Sequence, residues 1–267
     1  METSILLLAA MLLPSSVQAA MDRCSFRSEP TIIERVDAGP NRILLQYWDF
    51  ESDKVLSLES LPDSKRLAEY REVVAKRIAT DPAALLKRYM ALQPAPEDLR
   101  NIEVVMSRTG DIKELGCLAG LLLDVEIGRN ERFATEGPEF IAYFLRRKGK
   151  LRVYFLTNDS AGIRGAGVSS LLSRIEADRD AGWKVAANLH NHGFFLNDLD
   201  SKKPQGVLAP SASDIRVFIS QMERFGLKGA YITNGFHTLY VSSKDMKLYA
   251  AAKYKWPRSA VSNSSQP

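Results

Sequence analysis

The stretch from Trp183 to Asp214 decides the fold prediction, because it begins with WKVAANLHNH and ends, after a long loop, with PSASD. The first segment has the composition of a β-strand, and alternate side chains of a strand point to the same face of a sheet. His190 and His192 are therefore expected on one face, where both rings can bind one ion. They are two of only three histidines in the chain.

The end of this stretch predicts the start of a helix. An apolar run with helical spacing begins at Ile215, and Ser211 or Ser213 is a suitable N-cap before it. Asp214 then lies in the first helical turn, so its carboxylate is held at a fixed place after the loop.

Two imidazoles and one carboxylate are a common ligand set for catalytic zinc, which keeps a fourth position for water. We therefore expect one Zn²⁺ ion per chain, bound by His190, His192 and Asp214. The alternatives are a chance pair of structural histidines and a Ser-x-x-Asp that serves only as a helix cap. Asp198 and Asp200, in the intervening loop, are alternative carboxylate ligands.

The His-x-His segment followed by Ser-x-x-Asp resembles the signature of the JAMM (MPN+) metalloproteases, over roughly residues 100 to 245. In the usual motif about seven residues separate the second histidine from the serine. Here eighteen residues do so, from Gly193 to Pro210, and Gly193 replaces the proline that follows the second histidine. The resemblance implies a cytidine-deaminase-like αβα sandwich of the α/β class, with the ligand strand in a mixed central sheet.

JAMM enzymes also need a glutamate at the start of an apolar strand that contains glycines. Glu114 leads such a run, ELGCLAGLLL, so the resemblance makes Glu114 the general base that takes a proton from water and gives it to the leaving nitrogen. By the same resemblance, the Ser211 hydroxyl stabilises the oxyanion. Glu103 and Glu126 also flank apolar runs, and a solvated strand-end carboxylate is the alternative role for Glu114.

The activity implied by the resemblance is that of a zinc-dependent metallopeptidase, which hydrolyses a peptide or isopeptide bond in a protein or peptide substrate. Ubiquitin-like proteins and cell-wall peptides are the candidate substrates. The alternative is a non-catalytic MPN-like module that binds a partner. A phosphoester hydrolase would be expected to have more carboxylates near the histidines. The long loop is interpreted either as a substrate lid or as a surface insertion.

Residues 1–19 predict a secretory signal peptide, because the apolar run at residues 5–13 is too short to span a bilayer and small residues follow Pro14. The segment before the apolar run has no Lys or Arg, so an uncleaved anchor and a start at Met21 are the alternatives. We expect a secreted or periplasmic protein without stable membrane insertion after cleavage.

The charge of the chain is mildly basic, with 36 Lys and Arg residues against 32 Asp and Glu residues. The basic residues are scattered and form no aromatic-rich stripe, which disfavours a nucleic-acid partner. The two cysteines, Cys24 and Cys117, are compatible with a disulfide in an oxidising compartment. Whether they pair is left open, because Cys117 lies in an apolar run and is more simply interpreted as a small buried side chain.

The predicted organisation has three parts after the signal peptide. Residues 20–97 form an α+β N-terminal extension that the resemblance does not cover, residues 98–256 form the JAMM/MPN-like domain, and residues 257–267 form a disordered tail. Inside the domain we expect strands at residues 102–106, 114–125, 151–157 and 183–192, and a hairpin turn at Asn234-Gly235.

Overall fold

The structure is a computed structural model, and it describes residues 29–36, 42–57, 64–107, 111–158, 166–200 and 203–251. The predicted signal peptide and the predicted tail both lie outside these ranges. None of the helices in the described part of the chain combines the length and the apolar character needed to span a bilayer.

An eight-stranded mixed sheet forms the centre of the described fold. Its strands are β1 (Thr31–Val36), β2 (Ile43–Phe50), β3 (Asp111–Glu114), β4 (Phe140–Arg147), β5 (Lys150–Asn158), β6 (Lys184–Asn191), β7 (Gly229–Thr233) and β8 (His237–Ser242). They lie in the order β1-β2-β5-β4-β6-β7-β8-β3. Strands β6 and β7 are parallel, and the other neighbouring pairs are antiparallel.

Helices cover both faces of this sheet. They are α1 (Lys65–Ala75), α2 (Pro82–Ala91), α3 (Pro96–Met106), α4 (Cys117–Arg129), α5 (Phe133–Glu136), α6 (Ala166–Asp180), α7 (Ala212–Phe225) and α8 (Ser243–Ala251). Two short 3-10 helices lie at Asp53–Ser57 and Leu196–Asp198.

The two faces of the sheet belong to two separate apolar cores. Phe155 of β5 and Leu189 of β6 pack with α1 and α4 on one face. Tyr143 of β4 and Tyr154 of β5 pack with α3, α6 and α7 on the other face. Because each face of the sheet is buried by helices, the expected α/β class with a mixed central sheet is confirmed.

The prediction of a strand at residues 102–106 is wrong, because this segment is the second half of α3. Its buried residues Asn101, Ile102 and Val105 have helical spacing. The β-branched side chains of the segment favoured a strand from composition alone, but their packing against the second core decides the conformation.

The prediction of a strand at residues 114–125 is also wrong. Strand β3 ends at Glu114, and α4 begins at Cys117. Helix α4 lies between the sheet and α1, where Arg66 of α1 packs against Gly128. Because both sides of the helix are covered, its sequence lacks a polar face, and a continuous apolar run does not distinguish a buried helix from a buried strand.

Cys117 is a buried side chain, as interpreted from the sequence, and it is disulfide-bonded in the structure. The only other cysteine of the sequence is Cys24, which lies outside the described residues.

The N-terminal strands belong to the same sheet as the rest of the chain. Strand β2 pairs with β5 along its whole length, from Ile43 opposite Asn158 to Phe50 opposite Leu151. The predicted boundary at residue 97 falls inside α3.

Helix α1 from this N-terminal region contacts the β7–β8 hairpin. The Tyr70 hydroxyl donates to the Asn234 carbonyl at 3.1 Å, and Arg71 Nε donates to the Gly235 carbonyl at 2.8 Å. The predicted turn at Asn234-Gly235 is confirmed, and Gly235 has the positive φ of 89° that such a turn requires.

Candidate metal centre

The candidate site lies at the carboxyl end of β6, at the edge of the sheet where the chain leaves for α7. Because β6 and β7 are parallel and α7 connects them, the end of β6 and the start of α7 meet there. His190 is the penultimate residue of β6, and His192 follows the strand directly. Asp214 lies in the first turn of α7, as the sequence predicts.

The structure brings the three predicted ligands together. The Nε2 atoms of His190 and His192 are 3.0 Å apart. Asp214 Oδ1 lies 3.6 Å from Nε2 of His190, and its Oδ2 lies 3.3 Å from Nε2 of His192. Donors bound tetrahedrally at the usual zinc distances of about 2.0–2.2 Å would be about 3.3 Å apart. The cluster can therefore hold a metal ion.

A backbone carbonyl fixes the orientation of the second histidine ring. His192 Nδ1 hydrogen-bonds to the Val207 carbonyl. Since a carbonyl oxygen only accepts, Nδ1 carries the proton, and the Nε2 atom is turned towards Asp214 and is the ring's ligand atom. Such a contact behind a ligand is typical of metal-binding histidines.

Charges inside the cluster shift the pKa values of its members in opposite directions. Burial by itself lowers the pKa of His192, but Asp214, Glu139 and the Val207 carbonyl outweigh burial and raise this pKa to about 9. Burial also acts against ionised Asp214, yet His190 and His192 hold the pKa of that carboxyl well below its usual range. Without a metal the site is therefore an ion pair, and a metal ion displaces the proton of His192.

Ser211 is the N-cap of α7, which confirms the predicted helix start and selects it over Ser213. The Asp214 N–H donates to Ser211 Oγ at 3.2 Å, and the Ser211 N–H donates to Asp214 Oδ2 at 2.7 Å. The Ser211 hydroxyl also donates to Asp214 Oδ2, at 2.8 Å. This capping box holds the hydroxyl beside the ligand carboxylate.

Helix α3 fixes the chain around this cap. Asp98 accepts a 2.8 Å hydrogen bond from the Ala212 N–H. Asn101, which is fully buried, donates through Nδ2 to the Pro210 carbonyl at 2.9 Å. The start of α7 is therefore positioned by side chains that precede it by more than a hundred residues.

Glu114, the predicted general base, is not part of the cluster. It ends edge strand β3, three strands away from β6, which corresponds to about 14 Å. Its side chain is exposed, and it pairs in register with His237. Glu114 also lines a cavity of about 880 Å³ together with Leu189, whose side chain points away from the face that carries His190.

Glu139 is a second glutamate near the cluster, and sequence reasoning missed it. The β4–β6 ladder ends with Ile141 opposite His190, and Glu139 precedes Ile141 by two residues, directly before β4. The contribution of Glu139 to the raised pKa of His192 agrees with this position.

The sequence contains a signal for Glu139. The residue stands between Pro138 and the apolar run of β4, so it is a glutamate that leads a buried strand. The apolar run after Glu114 favoured Glu114 instead, because that run was interpreted as a strand, whereas it is α4.

The long loop from Gly193 to Pro210 is packed into the fold where it is described. Phe194 and Leu196 are buried in the first core, whereas Val207 and Leu208 are buried in the second. A buried Gln205 accepts from the Phe195 N–H at 2.7 Å and ties the loop to itself. The described parts of the loop therefore do not resemble an exposed surface insertion.

Neither alternative carboxylate in this loop reaches the histidines. Asp198 forms an ion pair with Lys203 at 2.9 Å, and Asp200 is exposed. Asp214 is the carboxylate that lies with both rings.

Comparisons with known proteins add no family to this description. No protein-family model matches the chain, and no significant match is found among curated proteins or among solved structures. The resemblance to JAMM enzymes therefore depends on the residues of the site and on their arrangement.

Proposed function

We propose that this protein is a zinc-dependent metallopeptidase of the JAMM type, which hydrolyses a peptide or isopeptide bond. The single observation that carries the proposal is the convergence of His190, His192 and Asp214 at the end of one strand. The Ser211 hydroxyl lies within hydrogen-bond distance of Asp214, and the charge of Glu139, directly before β4, acts on His192.

The order of elements around the site supports the same proposal. From β3 to β8 the chain runs strand, helix, two strands, helix, ligand strand, helix and two strands, apart from the short α5. We propose that this part is a JAMM/MPN-like αβα sandwich and that β1 and β2 extend its sheet. In this arrangement the proposed base, Glu139, directly precedes β4, and β4 is the neighbour of the ligand strand β6.

Each polar residue of the site has a role in this chemistry. A bound zinc ion would lower the pKa of water to about 7 and polarise the substrate carbonyl. Glu139 accepts the proton of the attacking water and returns it to the leaving nitrogen. The Ser211 hydroxyl, whose single proton is donated to Asp214 Oδ2 in the structure, would turn to donate to the developing oxyanion, a contact that stabilises transition states by about 3 kcal/mol.

We propose a protein or peptide as the substrate, and a secreted or periplasmic location if the predicted signal peptide is cleaved. A non-catalytic binding module would need neither the metal nor a base. A substitution of Glu139 therefore distinguishes the peptidase from the binding module better than a substitution of a ligand does. A structural metal site also needs its ligands, but it needs no general base.

The first test is the zinc content of the chain from residue 20 onward, measured by elemental mass spectrometry after dialysis. We expect about one zinc per chain, and loss of zinc in His192→Ala and Asp214→Ala. Glu139→Gln should keep the zinc and lose hydrolysis of a quenched-fluorescent peptide library. Glu114→Gln is the matched control, and it should keep both properties because Glu114 lies on another strand.

Two outcomes would contradict the proposal. A native chain without zinc, also after zinc is added, would leave a binding module. A chain that binds zinc and hydrolyses peptides equally well with Glu139→Gln would mean that another group moves the proton.

A further inference from the structure

The side chain of Asn191, between the two histidines, bonds to the backbone on both sides of Glu139. Its Oδ1 accepts from the Phe140 N–H at 2.7 Å, and its Nδ2 donates to the Pro138 carbonyl at 2.9 Å. Asn191 is 1% exposed, so both bonds are sheltered from water. The amide therefore spans the peptide units that enter and leave Glu139.

These two bonds continue the sheet where its backbone pairing stops. The β4–β6 ladder ends with Ile141 opposite His190. The next pair would be Phe140 and Asn191, and there the Asn191 side chain takes the place of the main chain. Glu139 thus gains a strand-like attachment to β6 although it precedes β4.

A close backbone contact fixes the same segment from its other end. A Cβ atom placed on Gly193 would lie 2.7 Å from the Gly137 Cα, which is closer than real side chains approach. Gly137 ends α5 with a φ of 57°, a conformation that glycine adopts at little cost. The segment Gly137–Glu139 therefore lies against the chain that carries His192, with no side chain between them.

We propose that Asn191 is a positioning residue for Glu139, which holds this carboxylate at the distance from the His192 side of the site that proton transfer requires. This inference rests on the proposed function. Asn191 has no contact with the reacting groups in this scheme and acts through the backbone of Glu139. An amide is suited to the task, because it supplies one acceptor and one donor from a single planar group.

The chain contains a matched control for a test of this role. Asn188 lies on the same strand, is fully buried, and donates through Nδ2 to Gln221 of α7 at 2.6 Å. Asn188→Ala and Asn191→Ala therefore each remove a buried amide from β6, but only Asn191→Ala releases the Glu139 segment. A difference between the two variants separates positioning from a general loss of packing.

The experiment has a structural measurement and a kinetic one. Amide hydrogen exchange of the Phe140 N–H should be at least tenfold faster in Asn191→Ala than in Asn188→Ala, since its acceptor is gone. With the peptide substrate found for the native chain, Asn191→Ala should lower kcat by about 10- to 100-fold, the usual effect of a residue behind a reacting group. KM and zinc content should stay at the values of the Asn188→Ala variant.

The outcomes distinguish this inference from the proposed function. If the native chain binds no zinc and hydrolyses nothing, the proposed function fails and the role of Asn191 fails with it. If the native chain is active, unchanged exchange of Phe140 or equal kcat values for the two variants overturns the inference alone. Loss of zinc in Asn191→Ala overturns it too, because the amide would then hold the ligands instead of the base.

Discussion

His192 is the member of the cluster whose raised pKa would oppose the binding of a metal ion. Its pKa is raised to about 9 because Asp214, Glu139 and the Val207 carbonyl favour the protonated ring despite burial. Below pH 9 a metal ion would have to displace the proton on His192 Nε2. The apparent affinity for the metal would therefore decrease as the pH is lowered. Asp214 stays ionised throughout, because its pKa is lowered.

We therefore expect the apparent Kd for zinc to rise about tenfold between pH 8 and pH 7. A histidine with the ordinary pKa of about 6.5 would lose little affinity over the same interval. The measurement is a competition titration with a chromophoric zinc chelator. Glu139→Gln removes one of the charges that raise the pKa, so its affinity should begin to fall at a lower pH. A flat affinity from pH 7 to pH 8.5 would contradict the raised pKa.

Residue types and their spacing were sufficient to predict the cluster. His190, His192 and Asp214 come together as expected, because strand alternation and a helix cap are local properties that the sequence encodes. Glu139 and Asn191 were missed because their positions near the cluster depend on which strand pairs with β6. Pairing is a property of the whole sheet, and short-range patterns do not contain it.

At the level of elements, the cap of α7 has a counterpart that allows its two roles to be separated. Helix α8 is preceded by Ser242, whose hydroxyl donates to Asp245 Oδ2 at 2.6 Å and accepts from the Asp245 N–H at 3.1 Å. This is the same Ser-x-x-Asp arrangement as at Ser211, at a helix that contributes no ligand. Only the cap at Ser211 lies beside the histidines.

Ser211→Ala and Ser242→Ala should each lower the free energy of unfolding by about 1 kcal/mol, since each removes an N-cap. Ser211→Ala should in addition lower kcat by about 10²-fold, the usual loss when an oxyanion donor is removed. Urea unfolding and peptide hydrolysis measure the two effects. If both variants keep native kcat, Ser211 is a helix cap without a part in catalysis.

Element prediction failed where tertiary contacts removed the usual periodicity. Helix α4 is covered by the sheet on one side and by α1 on the other, and its first seven residues, CLAGLLL, are all apolar and resembled a strand. The start of α7, which has one partly exposed face, was predicted correctly because Ser211 is a local capping signal.

For the whole molecule, the N-terminal strands and helices are part of the fold that holds the site. Strand β2 pairs with β5, and its buried residues Leu45 and Trp48 belong to the two opposite cores. Tyr70 of α1 donates a hydrogen bond to the β7–β8 hairpin, and Asn101 of α3 donates one to Pro210, just before α7. The predicted domain boundary between residues 97 and 98 would divide both apolar cores, since each contains residues from before and after it.

A fragment of residues 98–256 should therefore fail to fold on its own. Without β2, strand β5 becomes an unpaired edge and both cores lose apolar contacts. We expect no near-UV circular dichroism and no cooperative urea transition for this fragment, whereas residues 20–251 should show both. A fragment that unfolds cooperatively and binds zinc would contradict this expectation and support the predicted domain boundary.

The contact between Gly193 and Gly137 bears on how other chains with such a cluster can be recognised. The JAMM motif has proline after its second histidine, but here a Cβ at that position would meet the Gly137 Cα at 2.7 Å. A motif definition that demands the proline and a short spacing would reject a chain whose backbone requires glycine. A definition based on a strand-leading glutamate, alternate histidines and a helix-capping Ser-x-x-Asp, with free spacing between them, would accept it.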